Sequence, residues 1–399
     1  MTFNLRQSLV MVRANIYSLP RRLPISLSMI LSVALVVCVL AGFLSMARGF
    51  EKTLRSTGSP SVAVVLGGGT NQETGSDIPP SVIRTLEAKI SDIGVARSSD
   101  GALMLSREIV VTVDVKPGKA AAGRTIALRG MDAAGMSIRD NISLSTGRPF
   151  KSGAREIVVG DRFARELGLH TGDAVRLGTV NWTVVGQFSA QGSAFESEIW
   201  ADLDAIRSAF DRQGQVQSLR LRLFSPTSLP ALQNELAIIT TTPLIAVSET
   251  DLYAAQSGRT ASLIRLFGWP LAVLMAIGAT AGALNTMMNS VSDRKVEIAT
   301  FRALGFTRLS TFIGTWIEAV LLAAIGAISG LAISWLVFNG WQASTIGAND
   351  AGMAFQLAVT SDVMLVAGAL GLTIGIVGGA LPAITATRLP IATALRSNR

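Results

Sequence analysis

Apolar and polar residues are very unevenly divided along the chain. Four windows are almost free of charge: Ile25 to Ala47, Leu266 to Ser292, Ser310 to about Phe338, and Val363 to Thr387. Each is about 20 residues or longer, the length that crosses a bilayer as a helix. Leu266 to Ser292 carries no charged residue, and Ser310 to Asn349 carries only Glu318. These windows predict transmembrane helices over 25–47, 263–292, 310–338 and 362–387. Ahead of them, residues 1–24 predict a short amphipathic helix. Leu5, Leu9, Val12 and Ile16 fall on one face, with Pro20, Arg21, Arg22 and Pro24 closing the segment.

Between the first two windows the pattern changes to that of a folded domain, over 48–262. Short alternating runs bounded by Gly, Pro, Ser and Asn read as strands at 61–66, 108–115, 124–130, 156–160, 172–178, 181–186 and 218–224. Helical periodicity appears at 80–93, 162–167, 203–210 and 230–238. Residues 67–80 are rich in Gly, Ser, Thr and Pro and read as a mobile loop. Residues 49–54 and 249–265 continue the flanking membrane helices as stalks, and Pro270 is expected to kink the second. The fold class is therefore an α-helical membrane protein with four transmembrane helices. A mixed α+β extracytoplasmic (periplasmic) domain is inserted between the first and second, with room for two lobes, the smaller around 147–200.

Composition agrees. Charged residues make up 16% of the chain, against roughly 25% in a soluble domain. The net charge of +8 is not a nucleic-acid signature, because its basic residues cluster beside the apolar windows without an aromatic stacking pattern. Outside the inserted domain and its stalks they fall at the N-terminus, the segment 293–309 and the tail 388–399, whereas residues 309–387 contain no Lys or Arg. Four spans with both ends in the cytoplasm satisfy the positive-inside rule at every loop, including the outer loop 339–361. Cys38 lies within a span, can form no internal disulfide, and reads as a packing residue.

Candidate chemistry is sparse. No phosphate-binding GxxxxGK[ST] run is present, so Gly67–Gly69 is not a nucleotide loop. Ser292-Asp-Arg-Lys295 matches S-x-x-K by letter alone, and His170 is the one histidine, so neither a catalytic group nor a metal site is expected. Glu318 is the one ionisable residue deep in a window. It is either functional or satisfied by a neighbour such as Thr286 or Asn285. Small-residue spacing marks Gly278 and Gly282, Gly326 and Gly330, and Gly371, Gly375 and Gly379 as helix-packing positions, within the chain or between two copies.

The segment that organises the rest is 293–309. Its residues Arg294-Lys295-Val-Glu297-Ile298-Ala-Thr-Phe301-Arg302-Ala303-Leu304-Gly305 are too polar for hydrocarbon and mostly basic, which predicts a helix at the cytoplasmic surface. This run resembles the R-x-x-E-I-x-x-x-R-A-L-G pattern of the MacB/FtsX-like (type VII) permease family of ABC transporters. Glu318 resembles the acidic residue of that family's third span. Pro390 with Ala394-Leu395-Arg396 resembles its P-x-x-A-L-R ending, and Val158-Val-Gly160 with Leu167 to Asp173 resembles its periplasmic core.

The resemblance implies a permease without its own ATPase, working by mechanotransmission. ATP and Mg are bound by a cytoplasmic ABC ATPase subunit, itself a dimer, and no cofactor is held in this chain. Arg294, Lys295, Glu297, Arg302, Leu304 and Gly305 are the expected coupling residues. A second permease copy or a homologous permease is implied, together with membrane lipids. A periplasmic adaptor and an outer-membrane channel are left open, and no nucleic acid is expected. The implied location is the bacterial inner membrane, multi-pass. Two functions compete. One is export or extraction of a lipid, a lipopeptide or lipoprotein, or a hydrophobic drug from the periplasmic side. The other is an FtsX-like transducer that activates an extracytoplasmic enzyme. A membrane-anchored enzyme lacks any nucleophile, base or metal constellation.

Overall fold

The computed structural model describes residues 2–18, 23–89, 94–115, 124–239, 243–346 and 351–390. Expectations resting on Pro20, Arg21, Arg22, on 90–93, or on the Ala394–Arg396 ending lie outside the described residues. In chain order the helices are α1 (Thr2–Ser18), α2 (Leu23–Arg55), α3 (Pro80–Lys89), α4 (Gly135–Ile138), α5 (Asp161–Leu167), α6 (Leu203–Ala209), α7 (Leu229–Ile239), α8 (Glu249–Asp293), α9 (Lys295–Ala303), α10 (Arg308–Phe338) and α11 (Ser361–Thr387). The strands are β1 (Val62–Gly67), β2 (Leu105–Val115), β3 (Arg124–Met131), β4 (Ser143–Gly147), β5 (Glu156–Gly160), β6 (Ala174–Leu177), β7 (Val180–Ser189), β8 (Glu198–Asp202), β9 (Ser218–Arg222), β10 (Leu244–Ser248), β11 (Gln342–Ile346) and β12 (Gly352–Gln356). Two compact units result. One holds Met1–Arg48, Ser262–Trp341 and Leu357–Arg399, and the other holds Gly49–Ala261 and Gln342–Gln356.

In the first unit, α2, α8, α10 and α11 contain, among the described residues, four stretches long and apolar enough to cross a membrane. The α8 helix runs through Pro270 without a break. Their shared core joins Val33, Val37 and Leu40 of α2 to alanines: Ala272, Ala276 and Ala279 of α8, Ala319, Ala323 and Ala327 of α10, and Ala367 of α11. Small side chains let helix backbones approach closely, which replaces the water-driven association of soluble cores.

The glycines singled out by spacing divide into two groups. A Cβ on Gly326 would lie 2.8 Å from the Ile30 carbonyl oxygen, and one on Gly330 would lie 2.6 Å from that of Ala34, so α10 rides directly on α2. On α11, Gly371, Gly375 and Gly379 sit against Ala327, Ala323 and Ala319, an antiparallel ladder in which added Cβ atoms would approach to 2.9, 2.3 and 2.4 Å. Gly378, which spacing alone did not mark, faces Ala283 and Thr280 of α8. Gly278 and Gly282 meet nothing within 4 Å. Gly375→Val is therefore expected to force α10 and α11 apart and to cost about 1–3 kcal/mol. Gly278→Val should change thermal unfolding in detergent very little, and equal effects of the two would contradict the ladder.

In the second unit β1 to β10 form one sheet in the order β10-β1-β9-β2-β3-β8-β5-β7-β4, with β6 paired to β7, and β11 and β12 form a separate two-stranded sheet. Pairs β3–β8 and β5–β7 are parallel and the others antiparallel. The sequence left room for two lobes. Instead, the ten-stranded sheet carries two main cores. One core gathers Ile109, Leu128, Phe163, Trp182 and Ile206, and the other gathers Val65, Leu86, Leu219, Leu232 and Leu236. The segment 339–361, read as an outer loop, contains the β11–β12 hairpin, which belongs to this unit. Its Ala354 N–H donates to Ser197 Oγ, Arg162 donates to the Ala354 carbonyl, and Phe355 meets Phe50 edge-on at 5.5 Å. Polar Gln342, Ser344 and Thr345 hid this pairing from an apolar-pattern reading.

At the middle of the sheet lies a buried ionic network that the sequence did not reveal. Arg129, Arg139 and Arg220 are ion-paired with Glu73, Glu108, Glu198 and Glu249, all at most 9% exposed by side chain. Glu73 comes from the segment expected to be a mobile loop. It is instead pinned, accepting from Arg129 at 2.8 and 3.0 Å, from Arg220 at 2.6 Å and from Ser218 Oγ at 2.8 Å. Ser76 Oγ accepts from the Gly67 N–H and fixes the same segment. Burial by itself would raise the Glu73 carboxyl, but the charges of Arg129 and Arg220 outweigh it and hold the group well below the ordinary value of 4.5. Glu108 is likewise lowered: burial pushes it up, and Arg139, Arg220 and Arg129 more than reverse that.

Candidate functional site

The segment between α8 and α10 forms a short hook. Its helix α9 ends in a Schellman motif: Phe306 N–H donates to the Phe301 carbonyl and Gly305 N–H to that of Arg302, both at 3.1 Å. Gly305 takes φ of +96°, a conformation costly for any residue with a Cβ. The Phe301 and Phe306 rings, brought together by that turn, meet edge-to-face at 5.3 Å. Thr307 then caps α10, accepting through Oγ1 from the Ser310 N–H at 3.2 Å.

The hook is tied to its surroundings by residues that the sequence reading assigned to a partner. Arg294 and Glu318 form an ion pair in which each side chain is only 3% exposed. Arg294 also donates to Ser290 Oγ at 3.2 Å. The sequence offered Thr286 or Asn285 as a hydroxyl or amide neighbour for Glu318; the ion-pair partner is Arg294, the residue just past the end of α8. Arg294 is thus turned inward and is not a surface contact. Arg302 is half-buried and donates to the carbonyls of Thr387 at 2.8 Å and Leu389 at 3.3 Å. A cation there satisfies carbonyls that the end of α11 leaves without helical partners and suits the negative end of its dipole. Ile298 completes the anchoring, buried with Val291 of α8 and Ala386 of α11.

Helix α1 holds the other end. Gln7 donates to the Gly305 carbonyl at 3.3 Å, and its Oε1 accepts from Thr307 N–H at 3.3 Å and Ser310 Oγ at 3.4 Å. Met11 and Asn15 pack at Gly314 of α10. Gln7, Met11 and Asn15 were not singled out by sequence. Leu9, one of the expected apolar face, remains 68% exposed. What the hook leaves outward is Lys295, Glu297, Thr300, Ala303 and Gly305, with Leu304 at 73% exposure. The arrangement can bind a partner through one mixed charged and apolar face. It brings together no nucleophile and base, and no metal-ligating group of His, Cys, Asp or Glu occurs among the described residues.

Residues 26–239 match the MacB-like periplasmic core domain, and residues 269–391 match the FtsX-like permease C-terminal region. Over 383 residues the chain is 25% identical to the macrolide export ATP-binding/permease protein MacB of Bordetella avium (strain 197N), covering 91% of this chain and 56% of that protein. It is 23% identical over 381 residues, with the same coverage, to the protein of that name from Shewanella sp. (strain W3-18-1). The chain thus spans a little over half the length of these curated relatives. The periplasmic region of MacB from Actinobacillus actinomycetemcomitans aligns with 51% of this chain and 95% of its own length, at 11% identity and a TM-score of 0.39. The first match covers more than half of the chain and the second covers the hook and the last two spans. The protein is therefore a multi-pass membrane protein of the MacB/FtsX-like permease family of ABC transporters.

Proposed function

We propose that this permease exports or extracts a lipid, lipopeptide or lipoprotein, or hydrophobic drug from the periplasmic side by mechanotransmission. The motor is a separate cytoplasmic ATPase dimer that binds ATP and Mg, and a second permease copy or a homologous permease completes the membrane part. A periplasmic adaptor and an outer-membrane channel would extend it in a tripartite version. The chain sits in a bacterial inner membrane with both ends and the hook in the cytoplasm. That orientation is supported by the basic residues Lys295, Arg302 and Arg308 at the hook and their absence from 309–387. The relatives' name, which joins ATP binding to a permease in one protein, supports ATP as the energy source.

One observation carries the reading. The hook is fastened inward at Arg294 and Arg302 while Lys295, Glu297 and Leu304 face out. A force applied to the outer face passes into α10 and α11 through buried contacts, not through flexible loops. Glu297 is then the coupling contact; Arg294, Arg302 and Gly305 shape the hook that presents it.

The test is reconstitution. Purification in mild detergent is expected to recover an ATPase subunit, and vesicles given ATP should release a labelled lipid or hydrophobic drug. Glu297→Ala removes one charge-assisted contact, worth about 1.5–3 kcal/mol. It is expected to lower ATP-dependent release about tenfold or more with membrane insertion intact. Undiminished release would refute the assigned role. Vesicles that hydrolyse ATP and release nothing would favour the FtsX-like transducer.

A further inference from the structure

Glu249, the first residue of α8, joins three parts of the sheet-bearing unit that are distant in the chain. Its Oε1 accepts from Arg220 Nε of β9 at 2.8 Å, with Arg139 Nε 3.8 Å away. Its Oε2 accepts from the backbone N–H of Ser59 at 3.2 Å. Ser59 lies in the turn that follows α2. That turn is itself fixed: Thr57 Oγ1 accepts from the Ala194 N–H at 2.8 Å, and Ser59 Oγ donates to Asp140 at 2.5 Å. Between them Gly58 takes φ of +88°, and a Cβ there would lie 2.7 Å from Glu249 Cγ. The turn is therefore wrapped closely around this one side chain.

Charge balance does not account for Glu249. Glu73, Glu108 and Glu198 already match Arg129, Arg139 and Arg220 three to three, and Arg220 keeps Glu73 and Glu108 without it. A fourth fully buried carboxylate adds a desolvation cost of several kcal/mol. What distinguishes it from the other three is its position on the end of one long helix and against the end of another.

We propose that Glu249 is a positioning residue that locks the end of α2 and the start of α8 to β9, so that both helix ends and the sheet move as one body. Its mechanical meaning rests on the mechanotransmission reading. The lock itself is tested without ATPase or cargo, so the two can fail separately. In the full chain with Cys38→Ser, nitroxide labels are placed at Lys52→Cys on α2 and Arg176→Cys on β6, both exposed positions of this unit. Double electron–electron resonance in detergent is expected to give one narrow distance distribution. Glu249→Gln should at least double its width, with the melting temperature little changed. Gly58→Ala drives a Cβ into Glu249 without altering any charge, so it should broaden the distribution likewise, and it decides the matter if Glu249→Gln does not fold. Glu198→Gln removes a carboxylate of the same network that touches neither helix end and should leave the width unaltered. An unchanged width in the folded Glu249 or Gly58 variant, or equal broadening in Glu198→Gln, overturns the proposal. So does a failure of both Glu249→Gln and Gly58→Ala to fold, which would make the role purely structural.

Discussion

Glu318→Ala is expected to destabilise the helical unit by about 3–5 kcal/mol, because it strands Arg294 without its carboxylate in a site where both side chains are 3% exposed. The reason is asymmetric. An intact buried ion pair adds little net stability, since desolvating two charges nearly cancels their attraction, but a lone buried charge keeps the full penalty. The double variant Arg294→Met, Glu318→Met should therefore regain most of the loss, because two unbranched apolar side chains fill a similar volume with no charge to desolvate. Thermal unfolding in mild detergent of Arg294→Met, Glu318→Met and the double variant gives the coupling energy directly. A Glu318→Ala variant as stable as the parent would mean that the pair carries no weight. Activity in vesicles should behave differently. If the hook passes force through this pair, the double variant regains stability and not ATP-dependent release.

This pair also shows where sequence reading succeeds and where it stops. The four spans are legible because a bilayer demands about 20 apolar residues in a row, a signal that needs no tertiary information. The hook was legible for the opposite reason: its charges cannot lie in hydrocarbon. Orientation of each charge was not legible. Arg294 and Lys295 are adjacent in sequence, yet one is buried against α10 and the other exposed, and only the turn geometry after Asp293 separates them. Arg302 reads as a partner contact until the end of α11 is placed beside it. Among the glycines, spacing marked Gly278 and Gly375 alike, whereas only the second has a helix against it.

The ectodomain repeats the lesson at larger separation. Alternation located β9, and Leu219 and Leu221 are core residues as an alternating strand requires. The same alternation casts Arg220 as a solvent-facing residue, but the opposite face is covered too and Arg220 is fully buried. Glu73, in a stretch with every compositional mark of a loose loop, is 147 positions from the Arg220 that holds it. No local pattern encodes such a pair. Its signal would be the surplus of charged residues inside otherwise apolar strands: Glu108, Arg129, Glu198 and Arg220 all lie in strands of one sheet.

Arg220→Ala is the substitution expected to damage that network most. Arg220 donates to Glu249 at 2.8 Å and to both Glu73 and Glu108 at 2.6 Å, and Tyr253 lies at 3.3 Å. Its loss leaves four buried carboxylates facing Arg129 and Arg139 alone, at a cost of about 3–5 kcal/mol. For a unit of this size that corresponds to a fall of about 10 °C in melting temperature. Trp182 and Trp200, both buried in this unit, report its unfolding in the full chain. The dependence on pH should separate electrostatics from lost packing. In the parent, Glu73 and Glu108 are held below the ordinary value of 4.5. Their contribution is therefore complete above that value and is lost as pH falls through the lower folded values. In the variant, burial acts on the same carboxyls with one guanidinium fewer, so their folded values rise. The deficit relative to the parent is therefore complete at neutral pH and narrows as pH falls through the variant's folded values toward the lower ones of the parent. A deficit that stays constant from about pH 8 down through the ordinary carboxylate range would show that Arg220 acts through its bulk and not its charge.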